Sequence, residues 1–173
     1  MARLFFAIWP DATARTALAG WAVQIAKRFG GRPVPARNLH LTLVFLGEID
    51  PGRVEALSLA AGKVSCDAFT LVLDRIGGFG RAGVAWAGCR VAPAGILGLQ
   101  AELERRIRES GFQPDERAFS PHLTLARRVR EPVAPGDVEL AAWRVSSFAL
   151  VESTRAADAY RILAEWPLVM EKT

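Results

Sequence analysis

The chain holds two histidines, and each opens the same tetrapeptide, His40-Leu-Thr-Leu43 and His122-Leu-Thr-Leu125. With 19 Leu and 7 Thr in 173 residues, chance places Leu-Thr-Leu after a given His about once in two thousand times, so the pair is not a coincidence of composition. Side chains two apart along a strand share a face. His40 therefore stands with Thr42 and His122 with Thr124, while Leu41, Leu43 and Phe45, and Leu123 and Leu125, face a core. If the two halves pack with pseudo-twofold symmetry, two imidazoles and two hydroxyls meet across one cleft. That set suits phosphate-ester cleavage. An imidazole with an ordinary pKa of about 6.5 serves as base or as acid near neutrality. The hydroxyls can donate to the non-bridging oxygens as charge develops. Two plainer readings compete. Both histidines are half-buried strand residues bonded to backbone, or they join Cys66 and Cys89 around zinc. The two cysteines lack any finger-like ligand spacing, which argues against the metal.

The elements that must hold these side chains follow from periodicity. Arg3 to Trp9 reads as a buried strand. Asp11 caps a helix over about 12–29, with Leu18, Trp21, Ile25 and Phe29 on one face. Gly30-Gly31-Arg32-Pro33 ends it, and a strand over 39–46 carries the first motif. Pro51-Gly52 opens a second helix that runs to about Lys63. Strands are expected at 69–76 and 84–91, joined by a turn at Gly77-Gly78-Phe79-Gly80. A third helix covers about 96–110, with Gly111 as its C-cap. Strands follow at 122–129, 143–151 and 159–165. Helices and strands mix without strict βαβ alternation, so the class is α+β in a single 1–173 domain.

Composition sets limits. Hydrophobic residues make up 51% of the chain and charged residues 23%, which excludes a disordered chain. The net charge is +4, and only Lys27, Lys63 and Lys172 of the 22 cations are lysines. An arginine excess fits an anionic partner, although a GC-rich genome produces the same bias. No leader and no apolar run of spanning length is read, so a reduced cytoplasmic setting is expected.

The motifs and their flanks resemble the RNA 2′,3′-cyclic phosphodiesterases, or 2′-5′ RNA ligases, of the two-histidine phosphoesterase superfamily. The likeness is carried by Val34-Pro-Ala-Arg-Asn-Leu-His-Leu-Thr-Leu-Val-Phe-Leu-Gly47 and by Phe119-Ser-Pro-His-Leu-Thr-Leu-Ala-Arg127. It extends to Arg3-Leu-Phe-Phe-Ala-Ile8, Trp86-Ala-Gly88, Leu150-Val-Glu-Ser153 and Tyr160 to Leu168. The resemblance implies a bilobal fold of two pseudo-symmetric lobes, whose mainly antiparallel sheets line a central cleft. It implies opening of 2′,3′-cyclic phosphate ends to 2′-phosphates, with His40 as proton donor and His122 as proton acceptor. No metal or cofactor is implied, and the partner is RNA with a cyclic phosphate end, such as a tRNA fragment, or a cyclic nucleotide. A monomer is the default. Arg127 matches a phosphate-contacting arginine. Alternation turns it away from His122, so either a bulge re-aims it or Arg128 takes the role. Two departures are small: Gly83 stands where an arginine is common, and Ala156-Ala157-Asp158-Ala159 lacks an expected glycine.

Weaker signals complete the reading. Phe79 and Trp86 are candidate stacking surfaces at the cleft mouth, whereas Phe5, Phe6, Phe45, Trp21 and Trp166 are assigned to the core. Arg32, Arg37, Arg81 and Arg117 are loop cations able to steer RNA. Asp74 and Glu152 are candidates for orienting the histidines. The rivals to hydrolysis are 2′-5′ ligation of RNA halves and a non-catalytic module that binds RNA ends.

Overall fold

A computed structural model describes residues 1–154 and 160–170; the 156–159 stretch discussed above, and the first residue of the strand expected at 159–165, lie outside them. The chain begins with β1 (Ala2–Ile8) and α1 (Ala12–Phe29). The Asp11 carboxylate accepts the Ala14 amide at 2.8 Å, as expected of the cap. A two-residue strand, β2 (Arg32–Pro33), precedes β3 (Leu41–Ile49), which carries the first motif. A 3₁₀ turn over Pro51–Arg53 leads into α2 (Val54–Ala61), which is shorter than the periodicity suggests. The antiparallel pair β4 (Phe69–Phe79) and β5 (Val84–Gly88) comes next, then α3 (Ala94–Glu109). The second motif lies on β6 (His122–Arg127), and β7 (Gly136–Val145), β8 (Ser147–Ser153) and β9 (Tyr160–Pro167) complete the chain.

The architecture is α+β with antiparallel strand pairing throughout the main sheet. Along the sheet the order is β7-β4-β5-β6-β3-β1-β8-β9, with β2 paired to β6. The path divides into two four-stranded halves, and among the described residues they meet at one residue pair, Leu41 opposite Leu123. Each motif strand is preceded by an antiparallel neighbour and a helix: β1-α1-β3 in one half, β5-α3-β6 in the other. The tetrapeptide repeat is thus the visible trace of a repeated structural unit. The helices tie the halves together. α1 packs on β6 and β7 of the opposite half, while α3 packs on β3 and β4. Leu18 and Ile25 of α1, and Ile96, Leu99, Leu103 and Ile107 of α3, enter one cluster with Leu41 and Leu123.

Two sequence expectations are corrected. The strand expected over 143–151 is two strands in different halves: β7 pairs with β4, and β8 pairs with β1. Trp143, Val145, Phe148 and Leu150 are all buried, so the apolar pattern runs on across the Ser146 break between strands. Gly77 and Gly78 also do not form a turn. They extend β4, and the reversal is made by Gly80–Ala82 with Gly83 in the left-handed region at φ +59°. Gly77 is glycine for a packing reason, since a Cβ there would lie 2.3 Å from the Trp86 ring.

Candidate active site

The Leu41–Leu123 pair is the pivot of the site. Both leucines have no exposure. One step along the antiparallel register in either direction, His40 lies opposite Thr124 and Thr42 lies opposite His122. All four project from the face opposite the leucines, so the structure brings the four sequence-predicted polar side chains together. Each imidazole is held in the same way. His40 Nδ1 is 2.8 Å from the Asn38 carbonyl oxygen, and His122 Nδ1 is 2.7 Å from the Ser120 carbonyl oxygen. A carbonyl only accepts, so each Nδ1 carries the proton and each Nε2 is the nitrogen with a free lone pair. Backbone bonding, which the sequence offered as an alternative to a chemical role, is the means by which the tautomer is set. Asp74 and Glu152 do not orient the histidines. Asp74 accepts the Arg90 amide at 2.8 Å, and Glu152 accepts Arg161 Nη2 at 2.6 Å.

A matched irregularity follows each motif. In β3, Thr42 pairs with Ala7 but Val44 pairs with Phe6, which leaves Leu43 as an extra residue. In β6, Thr124 pairs with Trp86 but Ala126 pairs with Ala85, which leaves Leu125 extra. A bulge shifts the phase of alternation by one. Leu43 and Val44 are consequently both buried, as are Leu125 and Ala126, and the fifth residue after each histidine returns to the site face. In one half that residue is Arg127, so the bulge supplies the re-aiming that strict alternation denied it. In the other half it is Phe45, which the sequence had assigned to the core. Two halves of equal backbone therefore present unequal chemistry, a guanidinium on one side and an aromatic ring on the other.

Two cavities flank His40. One, of about 190 Å³, is lined by Pro33, Pro35, Asn38, Thr124 and Arg128; the other, of about 310 Å³, is lined by Arg3, Thr42, Phe45 and Ser153. His40, Arg127 and Tyr160 line both. Arg128 adopts a left-handed backbone at φ +56° and faces only the smaller one. The rings of Phe5, Trp9 and Tyr160 lie 5.1, 5.2 and 4.9 Å from the His40 ring. This enclosure desolvates the imidazole and lowers its pKa from 6.5 to about 4. The bond to Asn38 raises it, and the charge of Arg127, with that of His122 when it is protonated, lowers it further.

On the other side, the Phe79 ring stands edge-on to His122 at 5.2 Å and lies 5.8 Å from Trp86, with 44% of Phe79 exposed. These two expected stacking residues are thus at the second motif. Sequence reasoning missed Trp9 and Tyr160; Phe5 is buried at 4% exposure, as expected of a core residue, and its ring also lies against His40. Parity in β1 carries the signal, because Arg3, Phe5, Ala7 and Trp9 alternate with the core residues Leu4, Phe6 and Ile8. Phe5 and Ala7 form a small separate cluster with Ala149 and Val151, packed by Trp9, Phe45 and Tyr160 beneath the site. Burial raises the thiol pKa of Cys66, and that of Cys89 to about 11.

Comparison with known proteins places this arrangement in context. The model of the family described as LigT like Phosphoesterase matches residues 8–86 and 90–158. The chain is 39% identical over 169 residues to the RNA 2′,3′-cyclic phosphodiesterase of Escherichia coli, covering 96% of each. It superposes on E. coli LigT complexed with 3′-AMP with a TM-score of 0.87 at 38% identity, covering 96% of this chain and 98% of that one. A protein of Thermus thermophilus matches with a TM-score of 0.83 at 28% identity, covering 98% of this chain and 100% of that one.

Proposed function

The chain belongs to the LigT-like phosphoesterase family, and on that premise we propose that it hydrolyses RNA 2′,3′-cyclic phosphate ends to 2′-phosphates. The observation that carries this reading is the matched pair of imidazoles, each fixed as the Nδ1–H tautomer by a carbonyl two residues before it. His40 and His122, on strands of the two halves that meet at Leu41 and Leu123, can stand on opposite sides of a phosphorus atom, as in-line displacement requires.

His122 Nε2 takes a proton from water as the water oxygen attacks phosphorus. The bond from phosphorus to the ribose 3′ oxygen breaks, and His40 Nε2–H delivers a proton to that oxygen. Thr42 and Thr124 donate to the non-bridging oxygens, and Arg127 offsets the phosphate charge between the two cavities it lines. At the end of a turnover His122 holds the proton that His40 has lost, and exchange with solvent resets the pair. Burial leaves His40 neutral in the free protein. The phosphodiester anion arriving beside it favours the imidazolium, so substrate binding and protonation of the acid are coupled. The assignment of donor and acceptor rests on the family resemblance, since the two backbone settings are alike.

The site takes its residues from both sheet halves, so the chain works as a single two-lobed domain. We expect it to act as a monomer in the cytoplasm, where RNA ends are met; among the described residues no helix is long and apolar enough to cross a membrane. The experiment is turnover of a cyclic-phosphate-ended oligonucleotide with and without chelator. Release of a 2′-phosphate in both conditions supports the two-histidine route. Loss of activity with the chelator, restored by added metal, counts against it.

A further inference from the structure

Some arginines are paired locally; others, including Arg3, Arg37, Arg81 and Arg144 at separate places on the surface, make no ion pair among the described residues. Those on α3 are neutralised locally: Arg105, Arg106 and Arg108 pair with Glu102, Glu104 and Glu109 at salt-bridge distance. Arg90, Arg117 and Arg161 pair with Asp74, Asp115 and Glu152. Arg28, Arg32, Arg128 and Arg130 are exposed, and none of them makes an ion pair among the described residues. These four are brought together by the fold, not by the sequence alone. Arg32 sits on β2, which pairs with the end of β6 opposite Arg127. The Arg130 amide donates to the carbonyls of Phe29 and Gly30 at 3.1 and 3.0 Å, which pins the segment after β6 to the end of α1, beside Arg28. Arg32 and Arg128 border the smaller cavity, Arg130 lines a separate one with Val129 and Glu131, and the Arg28 guanidinium lies over the Phe29 ring at 5.2 Å. The backbone pairing thus gathers four arginines without ion pairs around the β2–β6 edge next to the site, with Glu131 the nearest acidic residue in sequence.

Unpaired arginines crowded on one edge repel one another, and a polyanion relieves that repulsion. Building on the cyclic phosphodiesterase reading above, we propose that the RNA strand upstream of the reacting terminus leaves the cleft over the β2–β6 edge. There Arg32, Arg128, Arg130 and Arg28 hold its backbone phosphates. The preferred substrate is then an RNA end several nucleotides long, not an isolated cyclic mononucleotide. The contacts read charge and spacing, not base identity. Each phosphate neutralised contributes a salt-dependence slope of about 0.7 for a single strand.

The test compares kcat/KM for a 2′,3′-cyclic mononucleotide and for a hexanucleotide ending in a cyclic phosphate, at about 50 and 200 mM salt. The wild type and an Arg28→Gln/Arg130→Gln variant are measured side by side. The hexanucleotide is expected to be favoured at least ~10-fold at low salt, with the preference shrinking as salt rises. The variant is expected to lose most of that preference and to flatten the salt slope by about 1.4, while its turnover of the mononucleotide is unchanged. Equal kcat/KM for the two substrates in the wild type, or an equal fall on both in the variant, would overturn the arginine track and leave the phosphodiesterase reading intact. Absence of turnover on both substrates would overturn that reading and the track with it.

Discussion

At the scale of single residues, the two histidines share a tautomer but not an environment. His40 is enclosed by Phe5, Trp9 and Tyr160, and its pKa is lowered to about 4, first by desolvation. Opening the enclosure with Tyr160→Ala moves that pKa back toward 6.5. The break that His40 makes in the kcat/KM profile, near pH 4 in the wild type, is expected to move to higher pH with it; a profile that does not move would show that the ring enclosure does not set that pKa. The same pKa links to folding. The unfolded imidazole takes up a proton near pH 6.5 and the folded one only near 4, so stability falls as pH drops through that interval and the penalty is constant below it. Asp74, Glu102 and Asp115 are held low by hydrogen bonds from Arg90, Arg106 and Arg117 respectively, so their losses come at lower pH. His40→Gln should therefore narrow the Tm difference between about pH 7 and about pH 5, measured by thermal melts in matched buffers. An unchanged difference would show that the imidazole is solvated in the folded state.

At the scale of elements, the bulges at Leu43 and Leu125 decide which side chains reach the cleft. They place Arg127 on both cavities and Arg128 on one. Arg127→Ala is accordingly expected to lower kcat/KM by about 10²-fold or more and Arg128→Ala by a smaller factor, as a phosphate-facing charge is worth more than a rim charge. Equal losses would mean that the bulge does not set the division. The β4–β5 pair makes a second prediction. Gly77→Ala drives a methyl group into the Trp86 ring, which should cost about 1–3 kcal/mol in urea unfolding. Much of this level was legible in the residues. The helix capped by Asp11 occupies 12–29 as read, and the paired motifs showed both strands of the site. What alternation could not show was the bulge, although two adjacent apolar residues after each threonine were its trace. The β7–β8 division was hidden for a related reason, because only Ser146 and Ser147 separate the two buried segments, too short a polar gap to mark a change of strand partner.

At the scale of the whole molecule, the site exists only where the two sheet halves touch. One residue pair joins them, while α1 and α3 cross to the opposite half and keep them together. The repeat supplies two imidazoles and two hydroxyls in symmetric places. The departures from symmetry, Arg127 against Phe45 and an enclosed His40 against a more open His122, give that cleft a direction. The sequence revealed the repeat and, through the family resemblance, the cleft. It could not reveal that Arg128 and Arg130 come beside Arg28 and Arg32, because the two pairs meet only through the β2–β6 pairing and the bonds from Arg130 to Phe29 and Gly30. The most direct test of the account is single-turnover cleavage of an oligonucleotide ending in a 2′,3′-cyclic phosphate, by wild type, His40→Ala, His122→Ala and the double variant. The expected product bears a 2′-phosphate and a free 3′ hydroxyl. Each single variant is expected to lose about 10²–10⁴-fold, and the double variant to be far less impaired than the product of the two losses, since the pair acts as a unit. A 3′-phosphate product, or either single variant retaining wild-type turnover, would contradict the account.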